Sequence, residues 1–184
     1  MDGSWDLPSI ECAYNDIVIL KNEDGKDELG FKTLEIAEDY CRRFCMIGHI
    51  LQLNENKLTL HLLGQIMNMA VEQGVLSEDD FMNKSEREIM NELEQIAALR
   101  QAQAPHLNKL SRLYKTFRSM TKIEHTSDAL PAEEYFCVSL NVKQRYIDPL
   151  VNNTRLSQIS PFAKKIIEDF KAYSDSKYGC VKLV

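Results

Sequence analysis

The sequence predicts a mainly α chain: a helical bundle over residues 1–120, followed by a small C-terminal α+β region over 121–184. Three observations carry that expectation. Apolar residues recur every three or four positions through 29–53, 57–73 and 105–120, which is the period of a helix with one buried face. Residues 135–143 switch to strict alternation, the period of a half-buried strand. A chain of 184 residues also buries roughly 70% of its unfolded surface, so it folds without help from a disulfide or structural metal.

The elements follow in order. Residues 7–20 (LPSIECAYNDIVIL) read as a short helix, with Pro8 in the first turn, where a missing N–H costs nothing. Residues 21–28 form a polar loop around Gly25. A long helix is expected over 29–53, with Leu34, Ala37, Cys41, Phe44, Cys45, Gly48 and Leu51 on its inner face. Asn54 breaks it and caps the next helix, 57–73. That helix is apolar almost all round, the mark of a bundle centre, and Gly74 stops it. Ser77 with Asp80, and Ser85 with Glu88, have capping-box spacing; the second opens a helix to about Leu99. Pro105 opens a helix to residue 120, with Leu107, Leu110, Leu113, Tyr114, Phe117 and Met120 on one face.

Beyond Thr121 the pattern changes. In 135–143, Phe136, Val138, Leu140 and Val142 face one way. Residues 145–151 are extended, with Pro149 at an edge, and Asn152-Asn153 signals a turn. Ser160-Pro161 reads as an N-cap with proline at the first helical position. The helix after it carries Phe162, Ile166, Ile167, Phe170 and Tyr173, and 178–184 adds a last short strand.

Composition excludes several classes. Hydrophobic residues at 44% and charged residues at 27% are ordinary for a soluble globular protein and argue against disorder. No apolar run approaches the roughly 20 residues that span a bilayer. Met1 to Leu7 lack a basic leader pattern, so the cytoplasm is the expected location, with no membrane partner. The five cysteines have no CxxC spacing, and reduced, mostly buried thiols are expected. No GxSxG, GxGxxG or GxxxxGK[ST] motif is present to support a hydrolase elbow, a dinucleotide fold or a P-loop.

Charge is more informative. The net charge is −6, yet residues 95–123 hold six bases and no acid. Lys109, Arg112, Lys115 and Arg118 fall opposite the apolar face of helix 105–120, where they form either a solvated face or a contact for phosphate. His61, Gln65, Asn68 and Glu72 form a polar stripe on helix 57–73. It is either that helix's least buried side or the lining of a pocket, to which His61, Gln65 and Asn68 would contribute. Asp16 sits in the apolar run AYNDIVIL, where a carboxylate caps, pairs locally or binds a metal.

Five stretches together resemble one family. They are DLPSIECAYNDIVIL (6–20), LGFKTLEIAEDYCRRFCMIGHILQ (29–52), NKLTLHLLGQIMNMAVEQGVLSEDDFM (56–82), NELEQIAAL with LSRLYKTFRSM, and QRYIDPLVNNTRLSQISPFAKKIIEDF (144–170). The first three resemble the helical region that follows the catalytic core of HD-domain phosphohydrolases of the deoxynucleoside-triphosphate triphosphohydrolase type. The fourth is similar to the two further helices and Arg/Lys-rich segment after it, and the fifth resembles the small C-terminal region of some bacterial members. That resemblance implies a metal-dependent nucleotide phosphohydrolase in which Asp16 matches one ligand of a divalent metal (Mn, Mg or Fe). The family's His…His-Asp set is absent here, and one carboxylate does not hold a catalytic transition metal. The resemblance therefore implies an accessory or C-terminal part, inactive alone, whose partner is a catalytic segment or subunit carrying the His-Asp dyad. A nucleotide or other phosphate ligand and a homo-oligomer are further expected partners. The alternative is a non-enzymatic helical interaction protein whose basic helix binds an acidic partner or nucleic acid.

Overall fold

Asp6 opens the first helix, α1 (Leu7–Asp16), by accepting a hydrogen bond from the Ser9 N–H at 2.9 Å. The computed structural model describes residues 6–98 and 107–184. Pro105, His106, Arg100 and the expected start of the basic helix lie outside the described residues. The chain is α-rich with a smaller share of sheet. It divides into two compact units, each made of two segments: residues 1–52 with 142–174, and residues 53–141 with 175–184. The expected boundary at residue 120 falls inside the second unit, which runs unbroken from residue 53 to 141.

In the first unit α1 stops at Asp16, four residues short of expectation, and Ile17–Lys21 form strand β1. The reason is local. Ile17, Val18 and Ile19 are β-branched and stiff, and they fit a pleated surface better than a helical one. The segment expected to continue as loop and helix forms β2 (Asp27–Phe31), which pairs antiparallel with β1. Asn22 closes the hairpin, its Oδ1 accepting from the Asp24 and Lys26 N–H groups, and Gly25 takes φ +74°. The long helix α2 (Leu34–Gln52) therefore starts at Leu34 rather than residue 29.

Strand β2 also pairs in parallel with β5 (Leu150–Val151), and β5 turns into β6 (Thr154–Arg155), giving the order β1-β2-β5-β6. Asn152 and Asn153 make that turn with φ 51° and 61°, as the sequence signalled. Gly30 is required at the β2–β5 contact, because a Cβ there would lie 2.5 Å from the Leu150 carbonyl oxygen. Helix α7 (Leu156–Ile159) follows, and Ser160 caps α8 (Pro161–Ala172) by accepting from the Ala163 N–H. Phe162 does not join the inner face of α8 as expected; it is 51% exposed, and Ala163, Ile167 and Phe170 are buried instead. They pack with Ala37, Cys41, Cys45, Val151 and Leu156.

The second unit is built on α3 (Asn54–Glu72), α4 (Asp80–Asn83), α5 (Glu86–Ala98) and α6 (Asn108–Ser119). The Ser85–Glu88 capping box is formed, with the Ser85 N–H 2.7 Å from Glu88 Oε2. Helix α3 is less enclosed than its composition suggests. Leu58, Leu62, Ile66, Met69 and Ala70 are buried, while Leu60 faces solvent. The buried face meets Leu93 of α5 and Leu110, Leu113 and Tyr114 of α6. Each such side chain contributes about 2 kcal/mol on burial.

Three short strands complete this unit. These are β3 (Glu124–Thr126), β4 (Tyr135–Val138) and β7 (Tyr178–Lys182), in the order β3-β7-β4. The alternation over 135–143 is a strand only to Val138, and Leu140 is exposed. The segment leading into β7 is anchored by hydrogen bonds. The Asn54 N–H donates to Asp175 Oδ2 and Asn54 Nδ2 to the Ser176 carbonyl. His125 lies between Asp175 Oδ1 (3.2 Å) and Glu55 Oε1 (3.0 Å). Cys137 and Cys180 face each other across β4 and β7 and form a disulfide, which corrects the expectation of five reduced thiols.

Candidate functional site

Helix α6 owes its form to two faces of opposite character. Leu110, Leu113, Tyr114 and Thr116 are buried, whereas Lys109, Arg112, Lys115 and Arg118 are all exposed. A helix turns about 100° per residue, so each step of three carries a side chain back by about 60°. Lys109, Arg112 and Lys115 therefore spread over one flank, and Arg118 passes to the other.

Two clefts record that geometry. One, of about 470 Å³, is lined by Asn108, Lys109, Ser111, Arg112, Lys115 and Val184. The other, of about 480 Å³, is lined by Glu94, Ala97, Tyr114, Lys115, Arg118 and Val184, among others. Lys115 and Val184 belong to both. The structure thus brings Lys109, Arg112 and Lys115 to one concave wall and places Arg118 beyond it.

The two flanks differ electrostatically. Arg118 Nε lies 3.8 Å from Glu94 Oε2, so its charge has a carboxylate partner. The Tyr114 hydroxyl sits 2.9 Å from the same oxygen and 3.2 Å from the Met90 carbonyl. Burial, with the Glu94 carboxylate, pushes the Tyr114 pKa up to about 12, so the hydroxyl is a fixed donor at neutral pH. On the first flank Arg112 Nη2 donates to the Glu133 carbonyl at 3.0 Å. Among the described residues Lys109 and Lys115 form no ion pair. Three cations on one wall, none in an ion pair among the described residues, suit an anion with several oxygens.

The remaining sequence candidates lie elsewhere. Asp16 is buried, and its carboxylate accepts from the Thr33 N–H (2.9 Å) and hydroxyl (2.7 Å), directly before α2. Among the described residues no group of three His, Cys, Asp or Glu side chains is disposed to hold a metal ion. Asp16 alone, with both carboxylate oxygens accepting from Thr33, does not by itself fit a divalent metal. His61 and Asn68 are exposed and Gln65 is half-buried; none of the three lines either cleft of α6. The His61 ring lies 6.0 Å from that of Phe136.

Compared with protein-family models, curated proteins and solved structures, the chain matches none. Among the described residues no helix is long and apolar enough to cross a membrane.

Sequence reasoning missed three features of the site. Val184 lines both clefts, Glu133 holds Arg112 through its carbonyl, and the disulfide joins β4 and β7, the strands that these two residues flank. Backbone carbonyls and strand register leave no residue-type signal. The cysteine alternating with apolar residues at 135–143 was visible, but its partner was not.

Proposed function

We propose that this chain is an accessory region of an HD-type nucleotide phosphohydrolase, inactive alone, whose helix α6 supplies cationic contacts to phosphate. The family reading rests on the resemblance of residues 6–20, 29–52 and 56–82 to the region after that family's catalytic core, and of residues 144–170 to the small C-terminal region of some of its bacterial members. One structural observation carries the phosphate role: Lys109, Arg112 and Lys115 line a common cleft of about 470 Å³. In this reading, Asp16 would offer its carboxylate to a divalent ion (Mn, Mg or Fe) held mainly by a catalytic segment or subunit carrying the His-Asp dyad. The test is a thermal shift of the chain with a deoxynucleoside triphosphate, with and without Mn²⁺. A ligand that prefers the folded state raises Tm. A rise that disappears in Lys109→Glu/Arg112→Glu supports the reading, and no rise with either addition counts against it.

A second reading, a helical interaction module for an acidic partner or nucleic acid, draws on the same cations. It gains from an exposed apolar pair on the first unit, where Ile19 and Leu29 sit opposite each other across β1 and β2 and are 70% and 65% exposed. Apolar surface of that kind suits a protein contact. Tight binding to an acidic polypeptide without any response to nucleotide would favour this reading.

A further inference from the structure

The Cys137–Cys180 disulfide is wired to the cationic cleft by a short chain of hydrogen bonds. It fixes β4 against β7, the central strand of its sheet. Just before β4, the Glu133 carbonyl accepts from Arg112 Nη2 at 3.0 Å, and the Glu134 carbonyl accepts from the Leu183 N–H at 2.7 Å. Just after β7, the Val184 N–H donates to Thr116 Oγ1 at 3.1 Å. Thr116 Oγ1 in turn donates to the Arg112 carbonyl at 2.9 Å. Arg112 is thus held at its guanidinium by the β4 side and at its carbonyl, through Thr116, by the β7 side. Val184, the residue so anchored, is part of the cleft wall.

We propose that this disulfide is a redox latch on the α6 cleft, a regulation that rests on the phosphate-binding reading of α6. In the oxidised form β4 and β7 hold one register, so Arg112 and Val184 are preset for an anion. In the reduced form that register is held by hydrogen bonds alone, and the wall loosens.

The chemistry is ordinary thiol–disulfide exchange with a small thiol as reductant. Its thiolate attacks the Cys137 sulfur, because Cys137 is half-buried whereas Cys180 is fully buried. A mixed disulfide forms, the Cys137–Cys180 bond breaks, and Cys180 leaves as a thiolate and takes up a proton. A second small thiolate attacks the outer sulfur of the mixed disulfide and releases Cys137 as a thiol. Two small thiols are oxidised to one disulfide, and one protein disulfide is reduced to two thiols.

The experiment titrates the 184-residue chain with inorganic tripolyphosphate by calorimetry, once oxidised and once after reduction. Amide hydrogen exchange at Leu183 and Val184 is followed in both states. The oxidised chain should bind about fivefold more tightly or better, within the usual range for coupling between two sites. Exchange at Leu183 and Val184 should quicken on reduction while the amides of α3 stay protected. A Cys137→Ser/Cys180→Ser chain should bind like the reduced form under oxidising conditions. Equal affinity in the two states overturns the latch and leaves the anion site standing. No binding in either state overturns both. Exchange that rises throughout the chain on reduction, or five titratable thiols in the unreduced protein, also overturns the latch.

Discussion

The two units spend their charged residues differently. In the first, Arg155 reaches Glu23 through Nε (2.7 Å) and Glu28 through Nη1 (2.5 Å), and it joins the β1–β2 hairpin to β6. Arg42 and Arg43 both close on Asp39 at 2.6 Å. These cations are consumed by the fold. In the second unit the cations of α6 have a buried apolar face behind them and a cleft in front. Among the described residues Lys109 and Lys115 form no ion pair, although Lys115 shares a cleft wall with Glu94. A basic residue near acids in sequence is a poor guide to binding. A basic residue left unneutralised on a concave wall is a better one.

Several substitutions would break or sharpen that contrast. Loss of the disulfide should have the largest effect on stability, since it joins residues 43 apart in sequence. Removing a closed loop of that length costs about 4 kcal/mol in chain entropy. Urea unfolding with and without reductant measures it, and an unchanged midpoint would deny the covalent link its stabilising part. In the first unit Gly30→Val should cost about 3 kcal/mol, because overpacking against a backbone carbonyl cannot relax cheaply. It should leave anion binding at α6 intact, a separation that calorimetry on the same sample would reveal. Asp16→Ala should cost about 1–3 kcal/mol, the usual cost of leaving buried hydrogen-bond donors such as the Thr33 N–H without their acceptor. A neutral result would mean the Thr33 hydrogen bonds do little, and it would return Asp16 to the role of a waiting ligand.

The smallest effect is a pH dependence. Burial raises the Asp175 pKa, but the Asn54 and Ser176 N–H groups and His125 outweigh it, so the carboxyl lies below its ordinary value. Burial likewise acts on Asp39, where Arg42 and Arg43 prevail and lower it. A group lowered in the folded state adds stability above its unfolded pKa of about 4. That stability is lost as pH falls through the folded value. Tm should therefore hold from neutral pH to about 4 and then decline. Asp175→Asn should flatten part of the decline, and a decline that begins near pH 6 would implicate histidines instead.

The basic helix was legible because its evidence is local. The run from Leu107 to Met120 shows both faces in one period, and the structure buries Leu110 and Leu113 and exposes all four cations as that period requires. The caps at Ser85 and Ser160 and the Asn152-Asn153 turn were legible for the same reason. The β1–β2 hairpin was not, since IVIL continues the apolar recurrence of α1 and only pairing with Asp27–Phe31 decides its form. The division into units was also hidden. Residues 142–174 pack with the first 52 residues, and residues 175–184 return to the second unit. Contacts between segments so far apart in sequence leave no periodic trace. The disulfide belongs to the same class, because its pairing is a fact of strand register.

The most direct test is the salt dependence of tripolyphosphate affinity for the oxidised chain. Lys109→Glu/Arg112→Glu and Arg155→Met should be run beside it. Affinity should fall steeply as salt rises, because binding to several cations is screened. Lys109→Glu/Arg112→Glu should lose at least about tenfold in affinity, as two charge-assisted contacts are reversed. Arg155→Met should lower Tm and keep both the affinity and its salt dependence. Equal loss of affinity in the two variants, or binding indifferent to salt, would contradict the claim that the cations of α6 stand ready for an anion.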